Sequence, residues 1–116
     1  MSAPTVRRGD IWLVNFNSGR GSEQKGIRPA LIVQNDIGNQ YATTTIVAAI
    51  TTTLKKYPVT VFMDRHEGGL KEPSMVNLAQ VLTLDKVRLM KRLGSVKIEK
   101  LSEVDMAIKV SLGIEA

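Results

Sequence analysis

The amino-acid sequence predicts a mainly β fold, a small, curled, mostly antiparallel barrel with one C-terminal helix covering its open side. Three observations carry this. About five short runs rich in β-branched and aromatic residues are separated by glycine, proline, asparagine and aspartate clusters. The apolar period changes to three and four residues only near the C-terminal end. A chain of 116 residues, 43 % hydrophobic, is sized for one core.

Asp10 to Phe16 (Asp-Ile-Trp-Leu-Val-Asn-Phe) reads as the first strand and stops at Asn17-Ser18-Gly19-Arg20-Gly21, a loop composition. After Pro29, Ala30 to Gln34 is continuously apolar up to its end, then halts at Asn35-Asp36-Ile37-Gly38-Asn39, whose side chains close turns. Thr43 to Thr53 is a threonine-flanked aliphatic stretch whose β-branching suits a pleated sheet. Val59 to Met63 follows Pro58 and ends at Asp64-Arg65-His66-Glu67-Gly68-Gly69. Ser74 to Thr83 is the next strand, and Leu84 to Arg88 reads as one helical turn. From Glu99, Leu101, Val104, Ile108 and Leu112 recur at helical spacing, with Ser102 as cap and Gly113 as stop. The whole is one domain over 1–116, with strands and loops over about 6–98 and the helix over about 99–112.

With no cysteine, disulfides, thiolate metal sites and cysteine nucleophiles are excluded. The opening residues lack the apolar core of a signal peptide, and the longest unbroken aliphatic run, Ile46 to Ile50, is far short of a membrane span, so a cytoplasmic location is expected. The net charge of +5 is unevenly placed: residues 1–97 carry 14 basic and 7 acidic groups, and residues 98–116 carry 2 and 4. The surplus in the body suits a polyanion or an acidic partner as well as plain solubility. Carboxylates are scattered and the single histidine, His66, sits in a glycine-rich loop as a surface residue, so no metal and no Ser-His-Asp arrangement is expected. Gly19-Arg20-Gly21 lacks the Lys-Ser/Thr of a phosphate loop, which argues against a nucleotide cofactor.

The segment Gly19 to Arg28 is denser in hydrogen-bonding groups than a plain connector needs: Arg20, Ser22, Glu23, Gln24, Lys25 and Arg28. Arg28 precedes Pro29 and is biased to extended backbone at the start of a buried strand. On residues alone it serves a surface ion pair as readily as a binding site. Thr51, where an aliphatic strand emerges, is equally an ordinary strand threonine.

Several blocks in order resemble the MazF/PemK toxins: Gly9-Asp10-Ile11-Trp12, Gly21-Ser22-Glu23-Gln24-Lys25-Gly26-Ile27-Arg28-Pro29-Ala30, Gln34 to Asn39, and Ile46-Val47-Ala48-Ala49-Ile50-Thr51. Gln80, Leu84 to Leu89 and Ser111-Leu112-Gly113 continue the similarity more loosely. The resemblance implies an SH3-like barrel of the MazF/PemK/CcdB type, a homodimer, and a type II toxin restrained by a separate MazE-like antitoxin. It implies an mRNA interferase: a cofactor-free, metal-independent endoribonuclease cutting single-stranded RNA at short motifs to leave 2′,3′-cyclic phosphate and 5′-hydroxyl ends. By position, Arg28 matches the family's catalytic arginine and Thr51 its catalytic threonine, while Ser22, Glu23, Gln24, Asn35 and Gln80 fall where the RNA groove is lined. An acidic antitoxin segment, folding in part as it binds, would suit a basic groove. The chain departs from the family at Ala79-Gln80-Val81-Leu82-Thr83, where many relatives carry Glu-Gln-Ile-Arg-Thr, and at Thr60, where some carry histidine. Two other readings compete. A non-enzymatic, CcdB-like toxin of the same barrel type acting on DNA gyrase is one, since a fold hosts several functions. A plain nucleic-acid-binding barrel is the other, and it would want more stacking aromatics than this chain has.

Overall fold

The computed structural model describes residues 5–16 and 26–115. In chain order these form β1 (Asp10–Asn15), β2 (Ile27–Ile32), α1 (Asp36–Tyr41), β3 (Thr44–Thr51), β4 (Thr60–Met63), β5 (Ser74–Asp85), β6 (Leu89–Ser95) and α2 (Ile98–Leu112). The strands make one antiparallel sheet in the order β4-β5-β3-β2-β1-β6. β5 and β6 are joined only by the short turn Lys86–Arg88 yet lie on opposite sides of the sheet, so the sheet must curl to bring them together. The expected curled barrel with a C-terminal helix is the observed architecture.

Both faces are buried. On one, Ile11, Leu31, Ala48, Ile50, Val61, Met63, Val76 and Leu78 pack beneath Val104 and Ala107 of α2. On the other, Trp12, Val14, Phe16, Ala30, Ile32, Val47, Leu84 and Leu89 fill the inside of the curl, with Val6. Side chains alternate along a strand, so neighbours such as Ala30 and Leu31 serve opposite cores. This explains why β2 and β3 read as continuous apolar runs.

Polar groups pin α2 at three places. Arg8 Nη2 reaches Asp105 Oδ1 at 2.7 Å while its Nε donates to the Val33 carbonyl at 2.8 Å. Lys100 Nζ donates to the Phe62 carbonyl on the outer edge of β4 at 2.8 Å and pairs with Glu67 and Glu103. Ser111 Oγ donates to the Leu78 carbonyl at 2.7 Å. The far edge, β6, is met near its end by the Gly68-Gly69 turn. A Cβ on Gly69, whose φ is +83°, would fall 2.1 Å from the Leu93 carbonyl oxygen.

Four expectations are corrected. The structure adds a sixth strand, β6: Leu89, Met90 and Leu93 are interrupted by Lys91 and Arg92, and its apolar face is completed only against β1. The turn expected at residues 35–39 opens a helix, because Asn35 caps it by accepting from the Gly38 N–H at 2.8 Å and the buried Asn39 is held by Gln34 and Thr45. β2 begins at Ile27 and runs through Pro29, where the strand is paired to β1 alone and the missing N–H leaves no ladder bond to β3 unmade. α2 starts at Ile98 with Lys97 at the cap position, so Ser102 lies inside the helix. Its inward face is Leu101, Val104, Ala107, Ile108 and Ser111, while Leu112 is exposed. Gly113 does end the helix, at φ 71°, its N–H satisfying the Lys109 and Val110 carbonyls.

Gly69→Ala should cost about 3 kcal/mol, combining a left-handed backbone with an unrelieved backbone clash, measurable by urea unfolding. Asp36 accepts from the Arg8 N–H at 2.7 Å and from Asn39 Nδ2 at 3.2 Å, which holds its carboxyl below the ordinary 3.8. A depressed native pKa stabilises the fold above the unfolded pKa, and that contribution is lost as pH falls from there through the lower folded-state pKa. The stability gap between the parent protein and Asp36→Asn should therefore hold above about pH 5 and shrink as the pH falls to about 3 and below in urea titrations.

Candidate active site

β2 and β3 are paired with Ala30 opposite Ala49, Leu31 opposite Ala48 and Ile32 opposite Val47. Carried two residues further, the same register sets Arg28 opposite Thr51. Both lie an even number of residues from Ala30, Ile32 and Val47, so both point to the face that holds those three. In an unbroken antiparallel ladder opposed Cα atoms are about 5 Å apart, but this ladder ends at Ala30. The two residues therefore stand where neighbouring strands part. Arg28 is exposed and Thr51 half-buried. Thr51 Oγ1 accepts from the Thr53 N–H at 3.1 Å, which uses a lone pair and leaves the hydroxyl proton to be donated elsewhere.

Gln80 sits in a bulge. Ala48 pairs with Val81 and Ala49 with Asn77, so Leu78, Ala79 and Gln80 have no counterpart on β3. The bulge is held from three sides: the Leu78 N–H donates to the Val59 carbonyl at 2.8 Å, Ser111 Oγ donates to the Leu78 carbonyl, and Asn77 Oδ1 accepts from the Ala79 N–H at 3.0 Å. Gln80 is exposed there, one residue before β5 regains its partner strand at Val81 opposite Ala48. Thr60, on β4, closes the loop after Thr51: its Oγ1 accepts from the Tyr57 N–H at 2.9 Å and lies beside the Lys55 and Tyr57 carbonyls.

Asn35 is elsewhere. It lies seven residues beyond Arg28 at the opposite end of β2, roughly 20 Å away along extended chain, and its side-chain oxygen is engaged as the cap of α1. Ser22, Glu23 and Gln24 lie outside the described residues, within 17–25. Phe16 and Gly26, which flank that stretch, are joined by a 2.8 Å hydrogen bond from the Phe16 N–H, so its ends are fixed two residues before Arg28. Among the described residues no three His, Asp or Glu side chains gather as a metal site, and no helix is long and apolar enough to cross a membrane.

Residues 7–112 match the family described as PemK-like, MazF-like toxin of type II toxin–antitoxin system. The chain belongs to this family. MazF from Deinococcus radiodurans superposes with a TM-score of 0.81 at 26 % identity, over 98 % of this chain and 100 % of that one. An endoribonuclease from a mycobacterial species, in complex with its cognate antitoxin, gives 0.81 at 25 % identity over 96 % and 98 %. Another mycobacterial endoribonuclease shares the fold at 0.82 and 23 % identity, over 100 % and 99 %. In this PemK/MazF toxin Arg28 and Thr51 share one face of the sheet, on neighbouring strands, through a register that no single sequence block contains.

Sequence reasoning missed a group of cations, Arg65, Lys71, Lys91 and Lys97, that the fold gathers along two cavities. They are scattered over 33 positions of chain (65 to 97), and Lys91 is placed by β6, the strand that the sequence pattern does not reveal. No local signal joins them.

Asn35→Ala should lower stability by about 1 kcal/mol through loss of the α1 cap, read from the urea midpoint without RNA. A residue whose whole role is to touch RNA would leave that midpoint unmoved.

Proposed function

We propose that this toxin is a metal-independent endoribonuclease that cuts single-stranded RNA by attack of a ribose 2′-hydroxyl on the adjacent phosphorus, leaving 2′,3′-cyclic phosphate and 5′-hydroxyl ends. The observation that supports the reading is the β2–β3 register, which turns Arg28 and Thr51 to one face of the sheet just beyond the last paired residues, Ala30 and Ala49. Attack builds negative charge on the non-bridging phosphoryl oxygens. The forked guanidinium of Arg28 offers two parallel donors to such oxygens, and the Thr51 hydroxyl adds a third. Rigid strands hold both donors before the charge develops, so little reorganisation is needed at the moment of reaction. Arginine stays protonated near neutral pH and is therefore a charge stabiliser, with the 2′-hydroxyl proton leaving by another group.

Single-stranded RNA fits because its base edges are open to the site, whereas an A-form duplex hides them. Gln80, raised on the bulge, is placed in this proposal as an RNA contact, with Ser22, Glu23 and Gln24 supplying others from the segment next to Arg28. The protein acts in the cytoplasm as a homodimer restrained by a separate MazE-like antitoxin. The mycobacterial complex and the MazE-MazF complexes of Deinococcus radiodurans support a dedicated antitoxin.

Purified protein incubated in EDTA with a long single-stranded RNA should make site-specific cuts with cyclic phosphate ends. Arg28→Ala should lower the cleavage rate by about 10²–10³, the usual cost of one preorganised oxyanion donor, and Thr51→Val by less. Cleavage abolished by EDTA, or undiminished in Arg28→Ala, would overturn the assignment.

A further inference from the structure

Two cavities open on the opposite face of the sheet from Arg28 and Thr51, and they share Gly69. The first, about 320 Å³, is lined among others by Leu13, Pro29, Leu70, Lys71, Ser74 and Lys91. The second, about 540 Å³, is lined by Arg65 to Gly69 and Gly94 to Lys97. The first backs onto the candidate site from the other face: Pro29 follows Arg28 in the chain, and Ser74 precedes Met75, the partner of Thr51 in β5. From Lys91 to Lys97 the pair extends roughly 20 Å, at the rise of extended chain.

Four cations along the two cavities are unmatched by carboxylates, as Arg7, Lys55 and Lys56 are elsewhere, but among the described residues only these four are gathered on shared cavities. Arg8, Arg92 and Lys100 are matched by Asp105, Asp10 and Glu67. Among the described residues Lys71, Lys91, Arg65 and Lys97 form no ion pair, and all four are exposed. Two carboxylates lie along the path. Glu67 is engaged, accepting from the Asp64 N–H at 2.9 Å and facing Lys100 Nζ at 3.8 Å, which leaves Glu72 against four cations and His66. The floor of the first cavity, Leu13, Pro29, Leu70 and Leu93, is apolar. An apolar floor under a rim of spaced cations matches a flexible strand that presents a flat base on one side and a phosphate on the other.

We infer that the joined cavities are a phosphate track that holds single-stranded RNA beyond the cleavage point, with Lys71 and Lys91 nearest the site and Arg65 and Lys97 at the far end. This rests on the nuclease reading above. The strand passes from the Arg28 face to the other through the gap where β2 and β3 part, beside Pro29. The track fixes how the substrate lies without touching the reacting phosphate. It therefore governs affinity for long RNA rather than the rate of bond breaking.

The test uses two double variants, Lys71→Ala with Lys91→Ala and Arg65→Ala with Lys97→Ala, each checked for an unchanged melting temperature. Binding of a labelled single-stranded RNA of several tens of nucleotides is followed against salt. Each double variant should reduce the slope of log K against log salt by about 1.4, at about 0.7 for each phosphate that a single strand no longer has neutralised. On cleavage, KM for the long RNA should rise several-fold with kcat unchanged, while the shortest oligonucleotide the protein cuts should be handled as by the parent. Unchanged slopes in both variants would overturn the track. So would unchanged slopes with weakened inhibition by the antitoxin, which would assign these cations to the antitoxin instead. Absence of cleavage with the salt-linked loss of binding intact would sink the nuclease reading and leave the track standing.

Discussion

Everything at the candidate site follows from the register of β2 on β3. A slip of one residue would turn Arg28 to the other face and exchange the two cores, sending Ala30 and Ile32 under α2 and Leu31 into the curl. Burial forbids this: Ala30, Leu31, Ile32, Val47 and Ala48 are all fully enclosed, and small and large side chains would meet in the wrong places. Pro29 adds the second half of the constraint. With no N–H to give, it stands where β2 is held by β1 alone, and β2 and β3 separate just before Arg28 and Thr51.

Burying both faces of the sheet leaves chemistry only at strand ends, bulges and loops. Arg28 and Thr51 occupy strand ends and Gln80 a bulge. The helix that closes one core also anchors that bulge through Ser111, so α2 contributes to the geometry of the site from the far side of the sheet. Scaffold and site are therefore coupled by hydrogen bonds as well as by topology.

Much of this is legible in the sequence. Five of the six strands can be read to within a few residues because each is bounded by turn chemistry and stiffened by β-branching. Arg28 and Thr51 are singled out by the family blocks, and chain order alone could not set them together, since 23 positions separate them. What escapes is fixed by tertiary contact. β6 is apolar enough only once β1 lies beside it. The helix α1 survives its glycine because Asn39 is buried among Gln34 and Thr45 and accepts Lys86 Nζ on its carbonyl. Ser102 has the chemistry of a cap, yet Lys97 takes that position, five residues earlier. The basic track is unreadable for the same reason: its cations come from a turn, a loop, a strand and a helix start.

The treatment of the two outer strands has a consequence for solubility. An unpaired strand edge is a template on which other chains can add, and this sheet has one at each side. Lys100 occupies a carbonyl of β4 from above, the Gly68-Gly69 turn lies against the end of β6, and Lys91 and Arg92 keep charge on what remains open. Growth of the sheet from molecule to molecule is thereby hindered at both sides. Assembly of this toxin is steered toward side-chain surfaces, where specificity is set by shape and charge, and away from a continuous ladder that would accept any extended chain.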